Sequence, residues 1–180
     1  MSELVDNTLA DLRLDPASSA RELIEVGPFI LQVQVAAAME AAHRGCELTV
    51  LPVAAGMFIE ADRHILAAAI ANLLENAFRI TRDDSHVLLS AYAINGRVRI
   101  EVEDESGGLP QDMLDQLFRP DRAGAPLGLS LSRKGVEANG GTLSARNIPG
   151  RGSVCVIDLP EVALIDTHVA VPRERPLHAL

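Results

Sequence analysis

Two asparagines and an arginine lie at helical spacing within the stretch Asp62–Thr81. At about 100° per residue, Asn72, Asn76 and Arg79 form one stripe. An Asn oxygen can complete a magnesium shell shared with phosphates, and a guanidinium can fork onto phosphate oxygens. The stripe therefore predicts a site for a polyanion with its metal, although an ordinary amphipathic helix would show the same pattern. The opposite, apolar arc holds Leu66, Ile70, Leu73, Leu74 and Ala77.

A carboxylate at the end of a predicted strand forms a second candidate group. Apolar and charged residues alternate over 97–103, so parity places Asp104 on the apolar side. A buried carboxylate needs a donor, and the exocyclic amine of adenine is a suitable one. Ser106, Gly107 and Gly108 follow and allow backbone and ligand to approach closely. A turn-capping aspartate remains the alternative.

A glycine-bearing loop leads into a predicted helix over Gly124–Ser132. Free N–H groups and the positive end of a helix dipole suit phosphate. The loop is not a P-loop, because no Gly-Lys-Ser/Thr sequence follows it. Alone, the pattern is weak, since glycine and proline often precede helices for structural reasons.

Composition indicates one domain with an aliphatic core: 180 residues, 48% hydrophobic, with a net charge of −9. The basic residues are scattered, so no nucleic-acid surface is expected. Cys46 and Cys155 have no metal-type spacing, which is typical of a reducing compartment. No apolar run spans a bilayer or resembles a signal peptide, so we expect a cytoplasmic location.

Helix and strand signals are mixed along the chain. Ser19 and Glu22 form a possible capping box, predicting a helix to Arg44 that Gly27-Pro28 kinks or divides. Asn95-Gly96 predicts a β-hairpin. The hairpin strands favour an α+β sandwich, with one sheet and helices on a single face. Other predicted strands are 47–51, 57–59, 142–146 and 154–159. A short amphipathic segment covers 111–118, and another helix is predicted over 127–138.

The order of these motifs is more specific than any one of them. Asn-x-x-x-Asn-Ala from Asn72, Asp-x-x-Gly-Gly from Asp104, Leu-Phe-Arg-Pro from Leu117 and Leu-Gly-Leu from Leu127 precede two glycine-rich strands. Over roughly residues 20–160 the chain resembles the catalytic ATP-binding domain of two-component sensor histidine kinases. Their superfamily includes gyrase, large heat-shock chaperones and mismatch-repair ATPases. The resemblance implies a two-layer, Bergerat-type sandwich with a mixed sheet of about five strands.

The resemblance also assigns roles to residues, with ATP and Mg²⁺ as cofactors. It makes Asn76 the magnesium ligand, Arg79 a phosphate contact and Asp104 the residue that reads adenine. Phe118 matches the F-box aromatic. Ser153 lies where relatives often have a hydroxyl residue at the adenine end of the nucleotide pocket. It implies no catalytic group in this chain beyond ATP positioning. The remaining ATP-binding candidates are Asn72, Ser106, Gly108, Gly124, Leu127, Gly128 and Leu129.

Three positions differ from the pattern of the superfamily or distinguish its branches from one another. Hydrolysing members of the superfamily carry a Glu where this chain has Asn72, and an amide cannot take a proton from water. This favours phosphoryl transfer over hydrolysis. Ser106 and Pro126 each replace a usual glycine, and the lid between Phe118 and Gly124 is short. We therefore expect weakened nucleotide affinity.

No histidine in the sequence has the context of a phosphoacceptor. The resemblance therefore predicts a separate dimerisation module as partner, followed by a response-regulator receiver domain. It divides the chain into the end of a dimerisation helix (1–18), the catalytic domain (19–160) and a tail (161–180), and we expect a monomer. An anti-sigma-factor serine kinase and a degenerate, non-catalytic docking module are the alternatives.

Overall fold

The computed structural model describes residues 21–81, 86–109, 114 and 127–164. A five-stranded mixed sheet has the order β2-β4-β5-β7-β6, with β2 parallel to β4 and the other pairs antiparallel. Among the residues just named, three helices of twelve residues or more pack on one face of the sheet, and the core lies between the two layers. The predicted α+β sandwich is confirmed. The elements are β1 Glu22–Glu25, α1 Val26–His43, β2 Glu47–Val50, β3 Phe58–Ala61, α2 Arg63–Ile80, β4 His86–Ile94, β5 Arg97–Asp104, α3 Leu127–Ala138, β6 Thr142–Ile148 and β7 Gly152–Pro160.

The predicted hairpin is the connection between β4 and β5. Asn95 and Gly96 have φ angles of 52° and 72°, as a tight hairpin turn requires. The turn sets the register in which Ile94 pairs with Arg97 and Val87 with Asp104. Alternate residues of β5 are buried, and Asp104, at its end, is among them. The parity prediction for Asp104 is therefore confirmed.

Helix α2 begins and ends where its sequence predicts. The Asp62 carboxylate caps it by accepting hydrogen bonds from the backbone N–H groups of His64 (3.0 Å) and Ile65 (3.1 Å). The backbone N–H of Asp62 donates to Asn139 Oδ1 at 2.7 Å, which ties the start of α2 to the end of α3. All five residues of the predicted apolar arc are buried.

The capping box predicted for Ser19 and Glu22 is wrong, because Glu22 belongs to a strand. Strand β1 pairs antiparallel with β3, so a partner distant in sequence overrides the local helix signal. Helix α1 starts only at Val26, which places Pro28 in its first turn. An N–H group there has no intrahelical acceptor, so Pro28 neither kinks nor divides the helix.

Several predictions fall outside the described residues. They concern the segment 111–118, the lid up to Pro126, and the two ends, 1–18 and 165–180. Within the first of these segments only Leu114 is described, and it is helical. Within the described ranges, no helix combines the length and hydropathy needed to cross a membrane.

Candidate functional site

A narrow cavity lies where α2, β5, α3 and β7 meet. Asn76, Asp104, Leu129 and Ser153 all line it, so four of the predicted site residues share one space. Its volume is about 10 Å³, close to the space that one water molecule needs. A purine could enter only if neighbouring side chains moved.

The buried carboxylate of Asp104 accepts three hydrogen bonds and can accept one more. Its side chain is buried, and Oδ1 accepts from the backbone N–H of Ser106 at 3.0 Å and from the Ser106 hydroxyl. Oδ2 accepts from the buried hydroxyl of Ser153. An ionised carboxylate offers roughly four lone-pair positions, so one position on Oδ2 stays open. A Cβ on residue 152 would lie 1.7 Å from the Asp104 carbonyl oxygen and would collide with it. Strand β7 can therefore approach Asp104 this closely only because residue 152 is glycine.

The side-chain amide of Asn76, which lines the cavity, is only partly hydrogen-bonded. Its Oδ1 accepts a hydrogen bond from the Arg79 guanidinium, while its buried Nδ2 has no partner among the described residues. A buried amide N–H without a partner is costly, and its presence at a cavity is typical of a ligand-binding position. Oδ1 retains a second lone pair that a cation can use.

The donor set fits a magnesium ion that arrives with phosphates. The described residues contain no cluster of three or more His, Cys, Asp or Glu side chains that could bind a metal by themselves. Asn76 would therefore supply one oxygen, and phosphate oxygens and water would supply the rest. Mg²⁺ is usually held in this way, by few protein ligands together with substrate phosphates.

Asn72 points towards α3 rather than into the cavity. Its Nδ2 donates to Ser132 Oγ at 2.8 Å, and the Ser132 hydroxyl donates to the Gly128 carbonyl at 2.9 Å. A Cβ on Gly128 would lie 2.3 Å from Asn72 Oδ1, so the first turn of α3 can approach α2 only at a glycine. The predicted stripe thus divides: Asn76 faces the cavity, and Asn72 joins two helices.

Asn147 is a positioning residue that the sequence did not reveal. Its side chain accepts from the Leu109 N–H at 2.7 Å and donates to the Leu109 carbonyl at 3.2 Å, which fixes the backbone after Asp104. Gly108, at φ 117°, lies against the same amide. An asparagine inside strand β6 is the signal that could have indicated this role, because asparagine is disfavoured in strands.

Cys155 lines the same cavity beside Asp104. Burial, with a smaller contribution from the Asp104 charge, raises the pKa of its thiol to about 12. The thiol therefore stays neutral at physiological pH and acts as a small apolar wall. Phe118 and Gly124 lie outside the described residues, and of Leu127 only the backbone, at the start of α3, is described.

Comparison with known proteins identifies the family. Residues 61–163, more than half of the chain, match the family of histidine kinase-, DNA gyrase B-, and HSP90-like ATPases. The chain belongs to this family, and it carries the ATPase catalytic domain of sensor histidine kinases.

Two relatives illustrate how much of a longer protein this domain represents. Sensor protein KdpD of Mycobacterium tuberculosis strain H37Rv is 39% identical over 124 residues, which are 64% of this chain and 13% of KdpD. Sensor protein DivL of Caulobacter vibrioides is 32% identical over 167 residues, which are 89% of this chain and 22% of DivL. The chain thus spans less than a quarter of either relative.

Solved structures share the fold. Full-length ShkA, solved in complex with AMPPNP, has a TM-score of 0.69 and 27% identity, over 81% of this chain and 32% of ShkA. The ATP-binding domain of PrrB from Mycobacterium tuberculosis has a TM-score of 0.65 and 24% identity, over 79% of this chain and 98% of that domain. These similarities are consistent with the two-layer architecture described above.

Proposed function

We propose that this domain holds Mg-ATP between α2, the end of β5 and the start of α3, and presents its γ-phosphate to a histidine on a separate module. The observation that carries the proposal is the shared cavity of Asn76 and Asp104. Its two walls offer what the two ends of the nucleotide need: an open carboxylate lone pair, and an amide oxygen with an unpartnered N–H beside it.

Each side chain has a distinct task in this proposal. Asp104 Oδ2 accepts a hydrogen bond from the exocyclic amine of adenine, while Ser106 and Ser153 hold the carboxylate in place. Asn76 Oδ1 binds magnesium. Arg79, which contacts Asn76 and is otherwise exposed, forks onto a phosphate oxygen. Ser106, Gly108, Gly124 and residues 127–129 contribute the backbone close to the ligand.

The chemistry requires no nucleophile from this chain. When bound, magnesium neutralises charge on the phosphates, and the protein orients the γ-phosphate for in-line attack. Asn72 is an amide engaged with Ser132, so it cannot deprotonate a water molecule. Transfer to an incoming imidazole is therefore favoured over hydrolysis.

The partners are proposed because both relatives described above are named as sensor proteins. We infer that residues 1–18 are the end of a dimerisation helix, that 19–160 form the catalytic domain and that 161–180 form a tail. The phosphorylated histidine module would then pass its phosphoryl group to a receiver domain. The isolated chain is expected to be monomeric and unable to phosphorylate itself.

Calorimetric titration with a non-hydrolysable ATP analogue, with and without Mg²⁺, tests the proposal. We expect binding that depends on magnesium in the parent chain and is lost in Asn76→Ala. The matched control is Ser144→Ala, an exposed position on β6, which should bind like the parent. Binding to Asn76→Ala at parental affinity would refute the role of Asn76.

A second candidate, a non-catalytic docking module, is favoured by the small volume of the cavity, about 10 Å³, and by the Ser106 hydroxyl, which donates to Asp104 Oδ1. Under this alternative no nucleotide binds to the parent chain or to Ser106→Gly. Binding restored by Ser106→Gly would instead support an ATP site that this serine weakens.

A further inference from the structure

Helix α1 carries an uncharged, apolar surface that the described part of the chain leaves open. Its first fourteen residues, 26–39, contain no charged side chain, and only two of them, both glutamines, are polar. Leu31, Val35 and Met39 follow one another at four-residue intervals and are 60%, 75% and 82% exposed. Scattered exposed apolar residues are ordinary, but a row of them on one helix indicates a surface that another molecule covers.

The charge of the protein distinguishes this surface from the exposed surfaces of the other two described helices. The chain has a net charge of −9, so a contact between two copies usually brings like charges together. Helices α2 and α3 both expose charged residues, among them Glu75 and Lys134. The row on α1 can instead face an identical row without repulsion. Charge therefore favours a second copy of this chain as the molecule that covers it.

The spacing of the row fits a two-fold contact. When two α1 helices cross antiparallel at Val35, this residue meets Val35 of the second copy, and Leu31 meets Met39 on both sides of the axis. Rows of residues spaced four apart interdigitate when the helices cross at about −50°, the commonest arrangement of packed helices. The row is thus complementary to its own copy.

A groove beside the row gives the second helix room. Ala36, adjacent to Val35 in sequence, lines a groove of about 1120 Å³ between α1 and α2, and Ala71 lies on the opposite wall. Both alanines are exposed, so their short side chains leave space there. The floor of the groove is apolar and includes the buried side chain of Phe78. The long side chain of Met39 from the second copy can enter this space, which adds apolar contact to that of the row.

We propose that α1 is a weak self-association surface, through which two copies of this domain pack antiparallel about Val35. The row and its alanine neighbours bury on the order of 400 Å² per copy, about half of what each partner buries in a stable complex. The isolated chain is therefore monomeric in dilute solution and associates only at about 1 mM. A dimeric parent kinase holds its two catalytic domains at an effective concentration of about this size. This last step rests on the proposed function, whereas the contact itself does not.

Sedimentation equilibrium of the full chain, without nucleotide, tests the proposal. We expect a monomer at low concentration and a reversible dimer at about 1 mM. Val35→Glu places two like charges at the two-fold axis and should raise the dissociation constant at least about tenfold. Ser144→Glu adds the same charge at an exposed position of β6 and should associate like the parent. A parent chain that stays monomeric at about 1 mM, or a Val35→Glu protein that associates as the parent does, would overturn the proposal.

A mixed sample tests the antiparallel geometry. Val35→Glu and Val35→Lys should each stay monomeric alone, because like charges meet at the axis, and should associate when mixed in equal amounts. Val35 is 75% exposed, so both proteins should show the circular dichroism and urea unfolding of the parent. No association in the mixture of folded proteins would refute a contact in which residue 35 faces residue 35.

The variant Asn76→Ala separates this inference from the proposed function. Its substitution lies in the nucleotide cavity and outside the groove, so it should lose nucleotide binding and still associate like the parent. Association lost in Asn76→Ala would show that the contact does not lie on α1. Association that persists in a parent chain without nucleotide binding would leave the contact standing and refute the proposed function alone.

Discussion

Asn72 on α2 donates a 2.8 Å hydrogen bond to Ser132 on α3, and the same Ser132 hydroxyl donates to the Gly128 carbonyl one turn earlier. The middle of the asparagine-bearing helix is thus joined to the helix that follows the predicted lid. Any movement of the start of α3 on nucleotide binding acts directly on α2, which also carries Asn76.

Gly128→Ala should destabilise the domain, because its Cβ would lie 2.3 Å from Asn72 Oδ1. Forcing a side chain into a filled position costs about 1–3 kcal/mol. Urea unfolding measures the loss. Gly27→Ala is the control: its Cβ meets nothing within 4 Å, so its stability should be unchanged or slightly higher. A fully stable Gly128→Ala protein would show that α2 and α3 are not held this closely.

Ser132→Ala should lower the free energy of unfolding by about 1–2 kcal/mol, because the buried serine hydroxyl bridges Asn72 and Gly128. A double-mutant cycle with Asn72→Ala, measured by urea unfolding, should give a coupling energy of at least about 0.5 kcal/mol. Strict additivity of the two single changes would contradict the bridge.

Ser153→Ala should destabilise the domain more than Ser106→Ala. Without Ser153, Asp104 Oδ2 loses its protein donor, whereas without the Ser106 hydroxyl Oδ1 keeps the Ser106 backbone N–H at 3.0 Å. Leaving a buried acceptor unpaired costs about 1–3 kcal/mol. Thermal unfolding of the two variants side by side makes the comparison, and the reverse order would argue against this arrangement of donors.

Asp158 should make stability depend on acid pH. Burial alone would raise its carboxyl pKa, but hydrogen bonds from Arg97 and Arg99 outweigh that effect and lower the pKa below its usual value. Because the folded-state pKa is the lower one, the stabilisation is present above the unfolded-state pKa and is lost as pH falls through the folded-state pKa.

Asp158→Asn tests this contribution. Both arginines are partly exposed, so we expect a loss of only about 1 kcal/mol near pH 7, shrinking as the pH falls below about 4. Urea unfolding at several pH values measures it. Glu60→Gln, at an exposed position of β3, is the control and should follow the parent curve. A difference between parent and Asp158→Asn that stays constant with pH would exclude the carboxylate as its source.

Cys155 should resist alkylation in the folded protein. With its thiol pKa raised to about 12 by burial and by Asp104, almost no thiolate exists at pH 8. Mass spectrometry after iodoacetamide treatment should find Cys155 unmodified in buffer and modified in urea. Rapid modification of the native protein at pH 8 would show that this side of the cavity is open.

Much of the architecture could be predicted from local patterns. The period of apolar residues predicted α2, and the turn residues Asn95-Gly96 predicted the β4–β5 hairpin, because each signal acts between residues close in sequence. The parity of β5 likewise predicted the burial of Asp104. Strand β1 was mispredicted as helix, because its stabilising partner β3 lies more than thirty residues away.

The sequence by itself determined which polar side chains occur in the site and on which element each lies. Only the tertiary structure decided that Asn76 faces Asp104 across a narrow cavity while Asn72 turns to Ser132, and that Asn147 fixes the Leu109 backbone. The reason is physical: helix and strand periodicity depends on neighbouring residues, whereas the hydrogen-bond partner of a polar side chain depends on which distant element packs against it.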